Sequence, residues 1–151
     1  EVGGEPVADL RVRAAPLKRI AIQPHLVDKG IDEYPALCIA DACAEGTTAL
    51  TGAAELRVKE SDRIQSMADG LNVLGIDARP TPDGIRIVGG TLGAGTVESQ
   101  GDHRIAMAFA IAALRATGTI VIQDCTNVLT SFPGFPQLAN GIGLGIVEVT
   151  E

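Results

Sequence analysis

The chain has 151 residues, of which 46% are hydrophobic and 21% are charged. This length and composition predict one compact domain with its own core and exclude a disordered chain. Twelve lysines and arginines against nineteen aspartates and glutamates give a net charge of −7. That balance excludes a general electrostatic surface for nucleic acid or an anionic membrane, so any anion must be bound by a local cluster of cations.

Apolar runs, cysteines and histidines exclude further classes of protein. The longest apolar run, Ile105–Leu114, is too short for a transmembrane helix, which needs about 20 residues. Three cysteines without a C-x-x-C pair and two distant histidines predict neither a disulfide framework nor a metal site. Because no basic segment followed by an apolar leader opens the chain, we expect a reducing, cytoplasmic compartment.

Short strands and helices are expected to alternate in the first half of the chain, around an aliphatic core. A helix is predicted to begin at Asp32 and Glu33 and to end before Gly46, and its expected inner stripe is Leu37, Ala40 and Cys43 or Ala44. The most regular apolar spacing follows Ser61 and Asp62 and predicts a helix from Ile64 to Leu74. The expected strands are Asp9–Arg13, Leu17–Ile22 and Thr47–Thr51.

The second half continues in the same manner. A turn is expected over Pro80–Gly84, and a nearly all-apolar helix over Ile105–Arg115 is predicted to be buried on most sides. A short helix is predicted over Phe135–Ile142, and the expected strands are Ile85–Val88, Thr119–Gln123 and Ile146–Val149.

The order of elements suggests an internal repeat. Gly46 and Gly118 lie 72 residues apart, and each follows an Ala-rich helix and precedes a short strand. Fourteen residues before these glycines lie Asp32 and Arg104, at the two helix starts. We therefore expect two copies, about 9–82 and 83–151, although any two helix–strand units look alike at this level.

Two clusters of charge at helix starts are the candidate functional residues. Leu56–Arg63 carries three cations and two carboxylates, and Gly101–Arg104 places a second arginine at the start of the apolar helix. Arginine in a first helical turn opposes the helix dipole and is favourable there when an anion binds at the same end. Solvated helix ends with weak surface ion pairs would explain the same residues, with Asp32 and Glu33 as caps and His103 as a local backbone partner.

Nucleotide-binding and hydrolase motifs are absent from the sequence. Gly141–Gly145 has neither the G-x-G-x-x-G spacing nor the strand-to-helix context, and no P-loop occurs. No G-x-S-x-G motif occurs, and neither histidine is tied recognisably to a nucleophile.

Three segments together resemble one family. Ile31–Pro35, Glu55–Arg63 and Gly101–Met107, in that order and spacing, are similar to the 3-phosphoshikimate 1-carboxyvinyltransferase (EPSP synthase) family, as is Thr130–Pro133. The resemblance implies an α/β fold of repeated βαβαββ units with helices inside and sheets outside. It also implies that residues 1–151 form one domain, complete or incomplete, of a two-domain enzyme whose N-terminal domain lies elsewhere.

That family transfers the enolpyruvyl group of phosphoenolpyruvate to the 5-hydroxyl of shikimate 3-phosphate and requires no cofactor. By resemblance, Asp32 orients or deprotonates the hydroxyl, Lys59 contacts it, and Glu60 protonates the enol. Arg63 and Arg104 are implied to bind the phosphoenolpyruvate carboxylate. The implied supporting residues are Glu55, Asp102 and His103.

Some relatives carry a phosphate-binding lysine before the Phe-Pro pair, where this chain has Thr130–Ser131. Two alternatives stay open: a related UDP-N-acetylglucosamine enolpyruvyl transferase, and a non-catalytic anion-binding or interaction module. The repeat further predicts that Asp32, Lys59, Glu60, Arg63 and Arg104 line one open face, at helix starts that point the same way.

Overall fold

A computed structural model describes residues 1–20, 22 and 24–149 of the chain. Two 3-10 helices, Asp28–Glu33 and Ala54–Val58, precede the second and third α-helices. The α-helices of the described residues are, in chain order, α1 (Pro24–Val27), α2 (Tyr34–Ala42), α3 (Arg63–Val73), α4 (His103–Ala112), α5 (Asn127–Ser131) and α6 (Phe135–Gly141).

The described strands form two small sheets. They are β1 (Thr47–Leu50), β2 (Asp77–Thr81), β3 (Gly84–Val88), β4 (Gly95–Glu98) and β5 (Ile120–Gln123). The first sheet is antiparallel with the order β1-β3-β2, and Leu50 lies opposite Ile85 in its register. The second is a parallel pair, β4 and β5, connected by α4 as a parallel crossover requires.

Three helices surround the centre of the core. Helix α2 packs on α4, and α3 packs on β2, β4 and α4. The core is mostly aliphatic, as the scarcity of aromatic residues predicted, and Phe109 of α4 is fully buried in it. The sheets cover this core with one face each, and β5 alternates between half-buried and exposed residues. The arrangement is an α/β structure with helices inside and sheets outside.

The two helices with the clearest sequence signals are confirmed. Helix α3 begins at Arg63, and its N-cap residue Asp62 accepts a hydrogen bond from the Gln65 amide at 3.0 Å. Helix α4 begins at His103, two residues earlier than predicted, because Asp102 caps it. The predicted strands over 47–51, 85–88 and 119–123 and the helix over 135–142 are also present, with small differences at their ends.

The predicted outer strands are wrong. Asp9–Arg13 pairs with no strand among the described residues, and Leu10 and Val12 are both 88% exposed. Leu17–Ile22 is reduced to a single parallel bridge between Lys18 and Glu45, and Ala21 lies outside the described residues. Ile146–Val149 also forms no strand in the described chain. Alternating sequence makes a strand only where another strand satisfies its backbone groups.

The predicted inner face of the helix after Asp32 is wrong at Leu37 and Ala40, but its last predicted position is confirmed, because Ala44 is buried and Cys43 packs against the core. Leu37 is 41% exposed and Ala40 is half-buried, whereas Tyr34, Cys38, Ile39 and Ala42 are buried. Nearly every residue of α2 is apolar, so spacing alone does not select a face, and packing on α4 and β3 decides it.

The sequence analysis did not predict β2, β4, α1, α5 or the two 3-10 helices. Strand β2 contains Pro80, which suits an edge strand because proline has no amide hydrogen to donate. The prolines around this position predicted a turn instead, and the turn is limited to Pro82 and Asp83. The two-copy division at about 9–82 and 83–151 stays a prediction, with α2–β1 and α4–β5 as its equivalent parts.

Among the described residues, no helix combines the length and apolarity that a membrane crossing needs.

Replacing Gly70 by alanine is expected to destabilise the chain. A Cβ atom at this position of α3 would lie 2.3 Å from Cζ of the Phe109 ring, so α3 and α4 would have to move apart. Overpacking of this kind costs about 1–3 kcal/mol, which exceeds the helix propensity that alanine gains over glycine, up to about 1 kcal/mol. Urea unfolding followed by circular dichroism should show a lower free energy of unfolding for Gly70→Ala.

Gly141→Ala is the matched control, because a Cβ at Gly141 meets no atom within 4 Å. It should leave the free energy of unfolding unchanged or slightly raised. Equal stability of Gly70→Ala and the unaltered chain would contradict the close approach of the two helices.

Candidate active site

The charged residues singled out in the sequence meet at the starts of α3 and α4. The end of the 3-10 helix Asp28–Glu33 and the loop Lys59–Ser61 complete this surface. Side chains from three stretches of the chain, residues 32–33, 55–63 and 102–104, therefore contribute to one cluster, which we call the charged cluster: Asp32, Glu33, Glu55, Lys59, Glu60, Arg63, Asp102 and Arg104.

Asp102 is the fully buried member of this cluster. Its Oδ1 accepts hydrogen bonds from the amides of Arg104 at 2.9 Å and Ile105 at 3.5 Å, which makes it the N-cap of α4. Its Oδ2 accepts from Arg63 Nε at 2.8 Å and from the Ser61 hydroxyl at 3.1 Å. Burial alone would raise the pKa of Asp102, but the hydrogen bonds and positive charge of Arg63 outweigh it and lower that pKa. Asp102 therefore stays ionised.

Arg63 is the buried cation, with 1% of its side chain exposed. Its guanidinium donates to Asp102 and also to Asp32 Oδ1 at 2.9 Å and Glu60 Oε2 at 2.6 Å. Burial opposes the charge of Arg63, but these carboxylates raise its pKa above the ordinary value. A planar fork of donors is what allows one side chain to join three carboxylates.

Asp32 is the carboxylate that the cations share. Its Oδ1 lies 2.9 Å from Arg63 Nη1 and 3.9 Å from Lys59 Nζ, and its Oδ2 lies 3.8 Å from Arg104 Nη2. The Asp32 backbone oxygen also accepts from Arg104 Nη1 at 3.0 Å. Asp32 makes no capping bond to α2, so the simple capping interpretation of this residue is wrong. Its side chain is 46% exposed and open to a ligand.

Lys59 and Glu60 lie side by side on the loop before α3. Lys59 Nζ donates to Glu55 Oε1 at 2.5 Å, and this hydrogen bond raises the pKa of Lys59 above its ordinary value. Glu60 accepts a hydrogen bond from Arg63, three residues later in the chain, while half of its side chain remains exposed. Lys59 is therefore a cation at neutral pH, and Glu60 is a carboxyl with an open side.

Arg104 is the more accessible of the two arginines. Its side chain is 34% exposed, and Glu33 Oε1 lies 3.5 Å from its Nη1. His103 is the half-buried first residue of α4, and within the described residues its side chain makes no hydrogen bond. The structure thus brings Asp32, Lys59, Glu60, Arg63 and Arg104 together at one face, whereas their individual roles stay predictions.

Two residues of this region had no role in the sequence prediction. Ser61 was interpreted as part of the helix start, but its hydroxyl donates to Asp102, 41 residues away. Arg57 binds Asp62 and the carbonyls of the β2–β3 turn. Asp102 and the carbonyls of Thr81 and Pro82 are distant in sequence from Ser61 and Arg57, so spacing alone could not identify these contacts.

Cysteine, histidine and carboxylate side chains are the usual metal ligands of proteins. Among them, no group of three or more His, Cys, Asp or Glu side chains could hold a metal ion. The three cysteines are free thiols, and burial raises the pKa of Cys38 to about 12.

Comparison with known proteins places this cluster in a family. The sequence profile described as EPSP synthase (3-phosphoshikimate 1-carboxyvinyltransferase) matches residues 1–138. The chain belongs to the EPSP synthase family. The charged cluster therefore lies in a member of the EPSP synthase family, and the fold of the chain is the α/β fold of that family.

Individual relatives agree with this family assignment. The chain is 66% identical over 146 residues to a 3-phosphoshikimate 1-carboxyvinyltransferase of Methylococcus capsulatus, covering 97% of this chain and 33% of the relative. It is 66% identical over 145 residues to the protein of the same name from Nitrosococcus oceani, covering 96% of this chain and 33% of the relative. The chain thus spans about a third of the length of these EPSP synthase relatives.

Solved structures show the same fold. An EPSP synthase structure from Acinetobacter baumannii, at 2.37 Å, superposes with a TM-score of 0.86 at 54% identity, over 90% of this chain and 32% of that one. A second EPSP synthase structure from that organism gives a TM-score of 0.83 at 51% identity, with the same coverage.

Asp102→Asn is expected to lower the free energy of unfolding by about 3 kcal/mol at pH 7. The amide keeps the shape of the side chain but leaves the buried Arg63 without its buried counter-charge, which costs about 3–5 kcal/mol in comparable pairs. The folded-state pKa of Asp102 lies below its unfolded value of about 3.9, so its stabilisation is complete above that pH. The difference between the two chains should therefore shrink as the pH falls below about 4.

Asp77→Asn is the control for this pair. Asp77 contacts Arg79 and Arg86 on the exposed face of the first sheet, where ion pairs contribute little. Asp77→Asn should cause little change in the free energy of unfolding measured with urea at pH 7. A loss of stability in Asp102→Asn that is no larger than in Asp77→Asn would contradict the importance of the buried pair.

Proposed function

We propose that the protein carrying this chain transfers the enolpyruvyl group of phosphoenolpyruvate to the 5-hydroxyl of shikimate 3-phosphate. The products are EPSP and phosphate, and the reaction belongs to the shikimate pathway of aromatic amino acid biosynthesis. The observation that carries the proposal is the convergence of Lys59, Arg63 and Arg104 around Asp32, with Glu60 beside them, in a member of the EPSP synthase family.

The chemistry requires an acid, a base and several cations. The 5-hydroxyl oxygen attacks C2 of the enol while its proton is removed, and C3 takes up a proton, which gives a tetrahedral intermediate. Loss of phosphate from C2 and of a proton from C3 then restores the double bond. Both substrates are anionic, so the site must hold carboxylate and phosphate groups while these protons move.

The cluster offers a residue for each task. Asp32 is exposed enough to reach a hydroxyl, and the neighbouring Lys59 supplies a positive charge within 3.9 Å of the same carboxylate. We assign Asp32 and Lys59 to the 5-hydroxyl and Glu60 to proton transfer at C3. Glu55 and Asp102 support Lys59 and Arg63, respectively, through their hydrogen bonds. We keep His103 as a supporting residue of Arg104.

Arg63 and Arg104 are assigned to the phosphoenolpyruvate carboxylate. Arg104 is partly exposed and provides the accessible contact, whereas Arg63 lies beneath it with Nη2 bound to Glu60. An arriving carboxylate competes with Glu60 for that nitrogen. Binding therefore releases Glu60 from Arg63 next to the carbon that must be protonated.

The remaining two thirds of the protein complete the site in this proposal. The cluster forms an open face, and the four anionic groups of the two substrates, a carboxylate and a phosphate on each, need more cations than this chain brings together. We infer that an N-terminal domain supplies them, that no metal or organic cofactor takes part, and that the enzyme works in the cytoplasm without nucleic acid or membrane partners. The phosphate-binding lysine that some relatives carry before the Phe-Pro pair is replaced here by Thr130 and Ser131, at the end of α5.

Two other functions would use the same cluster differently. A UDP-N-acetylglucosamine enolpyruvyl transferase would accept a different hydroxyl, so phosphate release with each acceptor separates it from an EPSP synthase. A non-catalytic anion-binding module would bind inorganic phosphate as well as the substrate pair. The family match over residues 1–138 favours the EPSP synthase activity.

The 151-residue chain alone is expected to release no phosphate from phosphoenolpyruvate and shikimate 3-phosphate. A half-site that is open to solvent is not shielded from water, and it lacks the preorganised cations that the other domain would supply. Phosphate release should be measured for this chain and for the full-length enzyme at equal concentration. Calorimetry of the full-length enzyme should show tighter binding of the substrate pair than of inorganic phosphate. Turnover by the short chain would contradict the proposed half-site.

Glu60→Gln in the full-length enzyme is expected to lower kcat by about 10² to 10⁴-fold. The amide keeps the shape of the side chain but cannot donate the carboxyl proton, and general acid catalysis contributes about this factor. Steady-state kinetics should show KM changing far less than kcat. Glu98→Gln, at the exposed end of β4, is the matched control and should leave both unchanged. A Glu60→Gln enzyme changed only in KM would contradict the assignment.

Arg104→Lys in the full-length enzyme is expected to raise KM for phosphoenolpyruvate about tenfold or more. Lysine keeps the charge but loses the planar pair of donors, and hydrogen bonds to charged groups are worth about 1.5–3 kcal/mol. The control Arg115→Lys changes an exposed arginine beyond the other end of α4 and should have no effect. An unchanged KM for phosphoenolpyruvate would show that Arg104 does not bind this substrate.

A further inference from the structure

Arg57 makes a set of contacts that the proposed reaction does not explain. It lies in the last turn of the 3-10 helix Ala54–Val58, two residues before Lys59. Its Nε donates to the Pro82 carbonyl at 2.9 Å, and its Nη2 donates to the Thr81 carbonyl at 2.6 Å. Its Nη1 lies 2.5 Å from Asp62 Oδ2. All three guanidinium nitrogens therefore have a partner.

Asp62 links this contact to the start of α3. One of its carboxylate oxygens caps the helix through the Gln65 amide, and the other accepts from Arg57. The pair thus joins the residue before the loop Val58–Ser61 to the residue after it. Lys59 and Glu60 lie inside the ring that Arg57 and Asp62 close.

The turn that receives Arg57 is itself fixed. Asp83 Oδ2 accepts from the Gly52 amide at 2.8 Å, and the Asp83 carbonyl accepts from the Ala53 amide at 2.7 Å. Strands β2 and β3 on either side are paired over their whole length. Arg57 therefore binds to a point that the sheet holds in place.

The loop has little else to hold its backbone. Outside helices and strands, residues 59–61 make no backbone–backbone hydrogen bond to another described residue. Lys59, Glu60 and Ser61 are tied through their side chains, to Glu55, Arg63 and Asp102 respectively. The Lys59 and Glu60 contacts are the ones that substrates would have to exchange.

We propose that Arg57 is a positioning residue that holds Lys59 and Glu60 in place by clamping both ends of their loop to the β2–β3 turn. This proposal rests on the proposed function, because that function assigns catalytic roles to Lys59 and Glu60. Arginine suits this role because its fork reaches three acceptors in one plane, which a lysine amine cannot reproduce. A misplacement of about 1 Å can cost about 100-fold in rate, so the clamp acts on catalysis without touching substrate.

Arg57→Ala and Arg57→Lys in the full-length enzyme test the clamp. We expect kcat to fall about 10- to 100-fold in Arg57→Ala, with a much smaller change in KM for either substrate and an intermediate loss in Arg57→Lys. Added guanidinium ion, at concentrations too low to denature the enzyme, should restore part of kcat in Arg57→Ala only. Arg79→Ala is the matched control, since Arg79 lies on the same hairpin and is 72% exposed.

A second measurement does not depend on activity. Hydrogen exchange of the amides of residues 58–61 should become faster in Arg57→Ala and stay unchanged in Arg79→Ala, while exchange within α3 and α4 is unaltered. If the unaltered full-length enzyme showed no transfer, the proposed function would fail, and hydrogen exchange alone would still decide whether Arg57 clamps the loop.

Three results would overturn the proposal. The first is a kcat in Arg57→Ala equal to that of the unaltered enzyme. The second is unchanged amide hydrogen exchange of residues 58–61 in that variant. The third is a loss of kcat that guanidinium does not restore, together with faster amide exchange throughout the chain. The last result would identify Arg57 as a contributor to folding only.

Discussion

The buried ion pair between Arg63 and Asp102 is the contact on which the rest of the site depends. Asp102 caps α4 with one oxygen and binds Arg63 with the other, so a single carboxylate fixes the start of α4 against the start of α3. Neither residue is stable in the core as an unpaired charge, because burying a lone ion costs several kcal/mol. The two helix starts must therefore lie together whenever the chain is folded, and the more exposed charges are arranged around this fixed pair.

Local concentration of charge explains how an acidic chain can bring three cations to one face. The net charge of −7 is spread over the whole sequence, whereas Lys59, Arg63 and Arg104 are concentrated where two helices begin. Each helix start adds a partial positive charge to those side chains. Close approach of α3 and α4 is permitted by Gly70, against which Phe109 packs. A residue without a side chain in the core thus helps to place charges at the surface.

The sequence predicted best those features that depend on neighbours in the chain. The starts of α3 and α4 were predicted to within two residues, and there Asp62 and Asp102 bond amides two or three residues away. The family resemblance drew attention to Asp32, but its meeting with Arg63 and Arg104 depends on contacts 31 and 72 residues apart. Alternation over 9–13 and 146–149 misled the prediction because a strand needs a partner. Prolines concealed β2, which tolerates them as an edge strand.

Arg63 is paired with Glu60, and Asp32 is paired with three cations. An anion that binds at this face must therefore displace an internal carboxylate from a cation. An arriving anion gains only the difference between its own contacts and those of the carboxylate that it displaces. A small monovalent anion that makes one contact gains almost nothing by such an exchange. An anion with several correctly spaced oxygens replaces the internal carboxylates and gains additional contacts. Under the proposed function, the acidic residues of the charged cluster would therefore disfavour small monovalent anions.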